Sequence, residues 1–262
     1  MKRLFLFFIV LAFASLACGE PPTPQATQTP YVITATSVAT ITPIATLTDA
    51  SLTETLPEGC DSAAAETCFD FNDSSDEGKR PGSPWNDTLI SDQAKTIVEQ
   101  RDHALMLSIQ SSPEAVFEGL YLPLKLNEID SLEGKLKLSE NIESANGTVG
   151  MGMDFGSGWL HFDVRSHEGG DGATIGCITS DGFGSRAVSV PYDSWRTLRL
   201  EIDPDTAAIS CFVNNMLVGR YVPSPADLEK FKQTTLYFQL YSWSADGGLV
   251  TGYIDDVKIK HR

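Results

Sequence analysis

The sequence predicts an all-β protein, a two-sheet antiparallel sandwich of the jelly-roll type that follows a disordered stalk. Three observations support this fold class. From about residue 60 onward, short segments alternate apolar and polar residues, as strands with one buried face do. Gly, Asn, Asp or Pro separates these segments, and about a dozen such strands are typical of a sandwich. No segment has the pattern of an amphipathic helix of three turns.

The first 17 residues read as an export signal. Lys2 and Arg3 precede a continuous apolar run over residues 4–13, which is too short to span a bilayer as a helix. The run ends in Ala-Ser-Leu-Ala-Cys, which resembles the lipobox of bacterial lipoproteins and implies lipidation of Cys18. Ser15 stands where Leu is usual, so plain secretion after an ordinary cleavage site remains the alternative. In the first case acyl chains anchor the protein in a membrane, at the cell membrane or the outer surface.

Residues 18–57 form the predicted stalk. Thr, Pro, Ala and Ser dominate this stretch, and neither Lys nor Arg occurs in it. A segment of this composition has no core-forming pattern and stays extended. We therefore expect residues 18–57 to hold a single β-sandwich domain, residues 58–262, away from the membrane.

The strands of that domain follow from the alternation and its interruptions. Residues 225–232 are the one stretch with a short helical pattern. The predicted strands cover residues 67–72, 104–110, 115–123, 132–139, 148–155, 159–165, 173–179, 197–203, 208–214, 216–222, 236–243 and 250–260.

The charge of the chain restricts its partners. Asp and Glu number 35 and Lys and Arg 19, which gives a formal net charge of −16. A charge of this sign repels phosphate backbones, so nucleic acid is not an expected partner.

Four segments of the domain carry a family resemblance. The strand 195–203 (WRTLRLEID) leads to a hairpin around Asn214 and Asn215, the chain ends in GYIDDVKIK, and the domain opens with ETCFDFND. This order resembles the concanavalin A-like lectin/glucanase superfamily. The resemblance implies a jelly roll in which the last strand returns beside the first, and by itself it says little about function.

Four cysteines follow Cys18. An even number in an exported protein predicts disulfides, and four cysteines allow three sets of pairs. We favour Cys60–Cys68, which flank the first strand, and Cys177–Cys211, which lie in strands that can be neighbours in the sandwich. Four buried free thiols remain the alternative.

One acidic motif raises the possibility of catalysis. Glu128, Asp130 and Glu133 resemble the E-x-D-x-x-E motif of laminarinase-type retaining glucanases, in which the resemblance implies Glu128 as nucleophile and Glu133 as general acid/base. This chemistry needs two carboxylates about 5 Å apart. Simple alternation puts Glu128 and Glu133 on opposite faces, so a bulge would be required. The alternative is that residues 127–131 form an ordinary turn before the next strand.

Two predicted strands have outward faces that mix aromatic and polar residues. Sugars are bound by such mixtures, because an aromatic ring packs on the apolar face of the sugar while polar groups bind its hydroxyls. The alternative is that loops cover these faces and the tryptophans are buried. The candidate binding residues are Trp159, His161, Asp163, Arg165, Tyr237, Gln239, Tyr241 and Trp243.

A structural Ca²⁺ site is the cofactor expectation. Asp255, in the last strand, shares a face with apolar residues and so points inward, where a carboxylate needs a cation or several donors. The family resemblance implies that the matching Asp is a Ca²⁺ ligand and that backbone carbonyls near the first strand, from Glu66 to Asp70, complete the shell. Oxygen ligands and net acidity suit Ca²⁺. The alternative is that Asp255 bonds to backbone amides or is exposed.

Three functions remain open at this point. The leading interpretation is a non-catalytic carbohydrate-binding or adhesion module that faces a glycan or another cell-surface polymer. The second is a glycoside hydrolase that uses Glu128 and Glu133, and the third is a structural protein of the cell envelope without a small ligand.

Overall fold

The computed structural model shows a domain built of β-strands. It describes residues 66–87, 96–110, 116–140, 142, 146–155, 158–167, 170–225, 228, 235–244 and 248–262. The predicted export signal, Cys18, the stalk and Cys60 lie outside these residues. No helix in the described part of the chain has the length and apolar character that crossing a membrane requires.

Among the described residues, short 3₁₀ turns lie at Ser74–Asp76 and Leu126–Glu128, and Pro225 and Leu228 are helical. Their bounds are β1 Glu66–Phe69, β2 Asn86–Asp87, β3 Thr96–Arg101, β4 Ala104–Gln110, β5 Val116–Lys125, β6 Ile129–Leu138, β7 Thr148–Asp154, β8 Trp159–Arg165, β9 Ala173–Thr179, β10 Val188–Val190, β11 Arg196–Ile202, β12 Ile209–Val213, β13 Met216–Tyr221, β14 Thr235–Ser244 and β15 Leu249–His261.

The strands form two sheets. Sheet 1 has the order β13-β12-β11-β6-β15-β4-β3, and β1 also pairs with β15. Sheet 2 has the order β10-β9-β8-β7-β14-β5-β2. The named strands pair antiparallel throughout, and the last strand pairs with the first. The predicted all-β, two-sheet antiparallel sandwich is therefore confirmed.

The core lies between the sheets and follows the alternation of the sequence. In β8, Leu160, Phe162 and Val164 are buried, and in β14 the buried residues include Phe238 and Leu240. Strand alternation places the side chains between them on the outer face of sheet 2. The fold thus presents every second residue of four adjacent strands, β5, β14, β7 and β8, on one surface.

A disulfide joins the two sheets across the core. Cys177 in β9 of sheet 2 bonds Cys211 in β12 of sheet 1, and both residues are fully buried. This pairing was predicted and is confirmed. Cys68 is disulfide-bonded as well, but its predicted partner Cys60 lies outside the described residues, so that pairing stays a prediction.

Candidate functional site

The outer face of sheet 2 gathers all eight candidate binding residues. The cross-strand register aligns Tyr241 of β14 with Gly150 of β7, and Gly150 with Asp163 of β8. The same alignment continues two residues further along the three strands, through Gln239, Gly152 and His161. We call this surface the aromatic face. Its outward side chains are Phe117 and Tyr121 of β5, Tyr237, Gln239, Tyr241 and Trp243 of β14, Asp154 of β7, and Trp159, His161, Asp163 and Arg165 of β8.

Ring contacts cross the aromatic face from β5 to β8. The Phe117 and Tyr241 rings are stacked with centroids 5.0 Å apart, and the Tyr241 and His161 centroids are 4.6 Å apart. His161 in turn stacks on Trp159 at 4.3 Å. A continuous series of four rings therefore lies across the four strands.

Glycines on β7 make room for these rings. A Cβ atom at Gly150 would lie 2.6 Å from the Tyr241 ring and from a carboxylate oxygen of Asp163, and a Cβ at Gly152 would lie 2.9 Å from the His161 ring. Any larger residue would therefore displace the rings. Gly150 and Gly152 let the side chains of β14 and β8 lie flat over the strand between them.

A buried polar group forms the floor of the aromatic face. Tyr241 and Asp163 are 1% and 4% exposed, and the Tyr241 hydroxyl donates to Oδ1 of Asp163. Arg165 donates from Nη2 to Oδ2 of the same carboxylate at 2.9 Å. The arrangement satisfies both oxygens of a carboxylate that burial would otherwise destabilise.

Burial shifts the pKa values of the ionisable side chains in and beside this floor. Burial raises the pKa of Asp163 to about 6, although the Tyr241 hydrogen bond and the Arg165 charge oppose the rise. Burial, together with the Arg165 charge, lowers the pKa of His161 to about 4. Burial and the nearby Asp163 charge raise the pKa of Tyr241 well above its usual value. Asp163 is thus the member of this group that titrates between pH 5 and 7.

Above the floor, other aromatic side chains remain accessible. Tyr237 is 41% exposed, while Trp159, Trp243 and Tyr121 are half-buried. Tyr121 meets the edge of Tyr237 at a centroid distance of 5.4 Å. Trp159 and Trp243 are therefore neither core residues nor fully exposed. Of the candidate binding residues, Tyr241 and Asp163 in the floor are buried, as the alternative of a covered face predicted.

The acidic motif lies elsewhere in the sandwich. Glu128 ends the Leu126–Glu128 turn and pairs with Lys125 at 3.0 Å. Asp130 accepts from Nε of Arg262 at 3.2 Å.

Glu133 is aligned with Arg199 of β11 and Lys258 of β15 on the outer face of sheet 1. That face is opposite the aromatic face, so the structure does not bring Glu133 and the candidate binding residues together.

The candidate cation ligands meet only in part. The register puts Phe69 beside Val257, which brings Asp70 near Asp255, but aligns Glu66 with Lys260. Burial, with the charges of Asp256 and Asp70, raises the pKa of Asp255 to about 7.

Asp256 adds a second buried carboxylate at this place. Lys135 pairs with its Oδ2 at 2.8 Å, and its Oδ1 is buried without a hydrogen-bond partner among the described residues. These groups fit a hard cation with oxygen ligands. In the described residues, however, no three His, Cys, Asp or Glu side chains are arranged to hold a metal ion, so backbone carbonyls would have to complete a shell held by Asp255 and Asp70.

If Asp255 binds Ca²⁺, adding Ca²⁺ to protein stripped with EDTA should raise the melting temperature. Binding to the folded state alone stabilises it by about 2.7 kcal/mol at a hundredfold excess over Kd. Differential scanning fluorimetry measures the shift, Mg²⁺ serves as the control ion, and Asp255→Asn should abolish the response. An equal melting temperature with and without Ca²⁺ would contradict the presence of a Ca²⁺ site at Asp255.

Comparison with known proteins identifies the fold. No family model and no curated protein matches the sequence. Among solved structures, the Crh5 transglycosylase superposes with a TM-score of 0.54 at 16% identity, over 76% of this chain and 85% of that one. A laminarinase from Flavobacterium sp. UMI-01 gives 0.54 at 10% identity, over 74% and 98%. The catalytic domain of an endo-1,3-β-glucanase from Thermotoga petrophila RKU-1 gives 0.51 at 12%, over 75% and 96%.

At such identities the likeness establishes the fold and no more. The expected jelly roll of the concanavalin A-like kind, which these glucanases and the transglycosylase share, is confirmed.

Proposed function

We propose that this chain is an exported protein, lipid-anchored at Cys18, whose jelly-roll domain binds a carbohydrate polymer on the aromatic face. The observation that carries the proposal is the ring series from Phe117 to Trp159 over a polar floor. An outward sheet face needs no such series for folding, whereas sugar rings stack on aromatic side chains beside polar groups.

The accessible aromatic residues suggest how a glycan would lie. Tyr237 and Trp159 are both aligned with Asp154, which lies between them on β7. Neighbouring strands are about 4.8 Å apart, so the two aromatic residues are separated by roughly 10 Å. Two sugar rings of one polymer can therefore stack on Tyr237 and Trp159 while hydroxyls face Asp154 and Gln239.

A glycoside hydrolase is the second candidate, because solved structures with this fold are glucanases and a transglycosylase. On the aromatic face Asp163, with its raised pKa of about 6, is the group best placed to be an acid. The other carboxylate that the structure describes there is Asp154, about 13 Å further along the strand direction. Glycosidases need their carboxylates about 5 to 9.5 Å apart, so the geometry favours binding without cleavage.

Trp159→Ala and Tyr237→Ala should each weaken retention on an immobilised polysaccharide. Loss of an aromatic anchor costs about 2 kcal/mol, which is roughly thirtyfold in affinity. Affinity electrophoresis on a panel of polysaccharide gels measures this, and Trp243→Ala is expected to act in the same direction. Trp195→Ala is the matched control, because Trp195 packs against Lys137 on the other side of the sandwich.

The alternatives give different results in the same experiment. A hydrolase releases reducing ends from the polysaccharide, and Asp163→Asn or, under the acidic-motif hypothesis, Glu133→Gln stops the release. A purely structural envelope protein is retained on no gel, although its Trp159→Ala variant melts like the wild type. If Trp195→Ala weakens retention as much as Trp159→Ala does, the glycan binds elsewhere and the proposal is contradicted.

A further inference from the structure

Arg165 stands on the aromatic face with most of its hydrogen-bonding capacity unused. Its bond to Asp163 at 2.9 Å is the one hydrogen bond that the guanidinium makes in the described part of the chain, and its Nε is buried without an acceptor. Its side chain is 37% exposed. A guanidinium carries five N–H donors, and the exposed part of this side chain offers donors that a ligand oxygen can reach. Arg165 is therefore both held in place and incompletely bonded.

The sheet is open beside Arg165. On the neighbouring strand β9, Thr174 is aligned with Arg165 and Gly176 with Asp163. A Cβ atom at Gly176 would meet no heavy atom of the described residues within 4 Å. Gly176 therefore leaves a gap in the outward face, next to the guanidinium and one strand beyond the ring series.

A cavity lies nearby, at Thr174 of the same strand. It measures about 440 Å³, and Thr174, Ser189 and His167 are among its lining residues. That volume lies in the range of small-ligand sites, which is roughly 300 to 1,000 Å³. The hydroxyls of Thr174 and Ser189 can bind sugar hydroxyls, while Asp171 lies exposed in the same lining and discourages a second negative charge there.

We propose that the glycan bound by the aromatic face contains a uronic acid, whose carboxylate Arg165 binds while its ring lies over Gly176. This inference rests on the proposed function and names the ligand class. A guanidinium presents a planar fork of donors that matches a carboxylate, and Asp163 orients that fork in advance. Trp159 lies roughly 13 Å along β8 from Asp163, which is aligned with Gly176. A sugar further along the polymer than the immediate neighbour therefore reaches Trp159, while the opposite end of the uronic acid faces the cavity at Thr174.

The charges around Arg165 give the proposal a pH signature. Ionised Asp163 opposes a second carboxylate at Arg165, and acidification through its pKa of about 6 removes this opposition. His161, with a pKa of about 4, stays neutral down to pH 5, and Tyr241 stays protonated throughout. A uronic-acid carboxyl is attached beside the ring oxygen and resembles an α-carboxyl, whose pKa is about 3.5, so it keeps its charge at pH 5. Affinity for uronic acids should therefore rise from pH 7 to pH 5.

The net charge of −16 repels acidic polymers at long range. At 0.15 M salt the screening length is about 8 Å, so distant charges contribute little to the local contact with Arg165. Binding is therefore best measured at that ionic strength.

The test is a glycan array that carries neutral, uronic-acid and sulfated oligosaccharides, probed with the full domain at 0.15 M salt. We expect the wild type to bind uronic-acid members and to lose them when their carboxyls are reduced to alcohols. Arg165→Gln should weaken this binding about tenfold or more, because it removes a charge-assisted pair of hydrogen bonds, and Arg165→Lys should restore only part of it. Gly176→Val should block binding without changing the melting temperature, because it fills open space.

The pH arm uses the uronic-acid oligosaccharide that binds best. We expect its Kd to be at least about threefold lower at pH 5 than at pH 7. The difference should persist in His167→Gln, which removes the imidazole that contacts Thr174.

The outcomes separate the two proposals. Binding to neutral glycans alone, lost in Trp159→Ala and unchanged in Arg165→Gln, overturns the uronic-acid inference and leaves the proposed function standing. Preference for sulfated members overturns the carboxylate assignment. A folded wild type that binds no member overturns both proposals.

Discussion

Removal of the Cys177–Cys211 disulfide should lower the free energy of unfolding by about 3–4 kcal/mol, the loss of chain entropy expected for a loop of this length. The two cysteines are 34 residues apart and connect opposite sheets across the core. Without the bond the unfolded chain regains conformations, while the native packing around the two thiols can stay unchanged. The Cys177→Ala/Cys211→Ala variant should therefore unfold at a clearly lower urea concentration.

A comparison of the reduced and oxidised wild type isolates the bond itself, because the side-chain volumes are then equal. Mass spectrometry of a non-reducing digest shows that the Cys177 and Cys211 peptides are linked before treatment. Equal urea midpoints for the reduced and oxidised proteins would contradict the stabilising role.

Arg80→Met should cost about 3–5 kcal/mol, the penalty for leaving a buried charge without its partner. Glu118 points into the core of the sandwich beside Leu120 and is fully buried. Nη2 of Arg80 donates to Oε1 of Glu118 at 2.7 Å, and the other carboxylate oxygen is buried with no hydrogen bond to any residue that the structure describes. Arg80 is thus the group that compensates this carboxylate.

Two further variants are controls. One replaces the Arg80–Glu118 pair by apolar residues, and the other removes the charge of Asp87, the second partner of Arg80. Arg80→Met/Glu118→Leu should regain most of the lost stability, since an apolar pair needs no compensation. Asp87→Asn should change stability by about 1 kcal/mol or less, because the Arg80–Asp87 pair is exposed. Urea unfolding measures all three, and a double variant no more stable than Arg80→Met would show that Glu118 is not the cause.

Strands with one apolar and one polar face were predictable from local sequence. Ala104–Gln110, Trp159–Arg165 and Ala173–Thr179 have the predicted bounds, because alternation depends only on neighbours in the chain. The outward and inward faces of β8 and β14 followed from the same rule.

Features that depend on cross-strand partners were missed. Strand β3, Thr96–Arg101, lies at the edge of sheet 1 and is too polar to stand out. Phe117 and Tyr121 alternate with buried residues in β5, a signal that the sequence contained but that acquired meaning only when β5 proved to pair with β14. The roles of Gly150 and Gly152 depend on rings from two other strands, which no local pattern reveals.

The acidic motif is a local pattern that was visible in the sequence but did not determine where its residues lie in the fold. Its spacing resembled a catalytic motif, but spacing does not state which sheet a strand joins. The structure puts Glu133 in sheet 1, between Arg199 and Lys258, whereas the aromatic face belongs to sheet 2. The order of strands along the whole chain decides which sheet a strand joins, and no single segment encodes that order.

The central claim is that sheet 2 carries the glycan, and hydroxyl-radical footprinting of the domain with and without a bound polysaccharide tests it most directly. We expect the ligand to reduce oxidation of Trp159 and Tyr237, and to leave Trp195 and Tyr253, which flank Lys137 on the outer face of sheet 1, unchanged. Protection of Trp195 and Tyr253 without protection of Trp159 and Tyr237 would contradict the account.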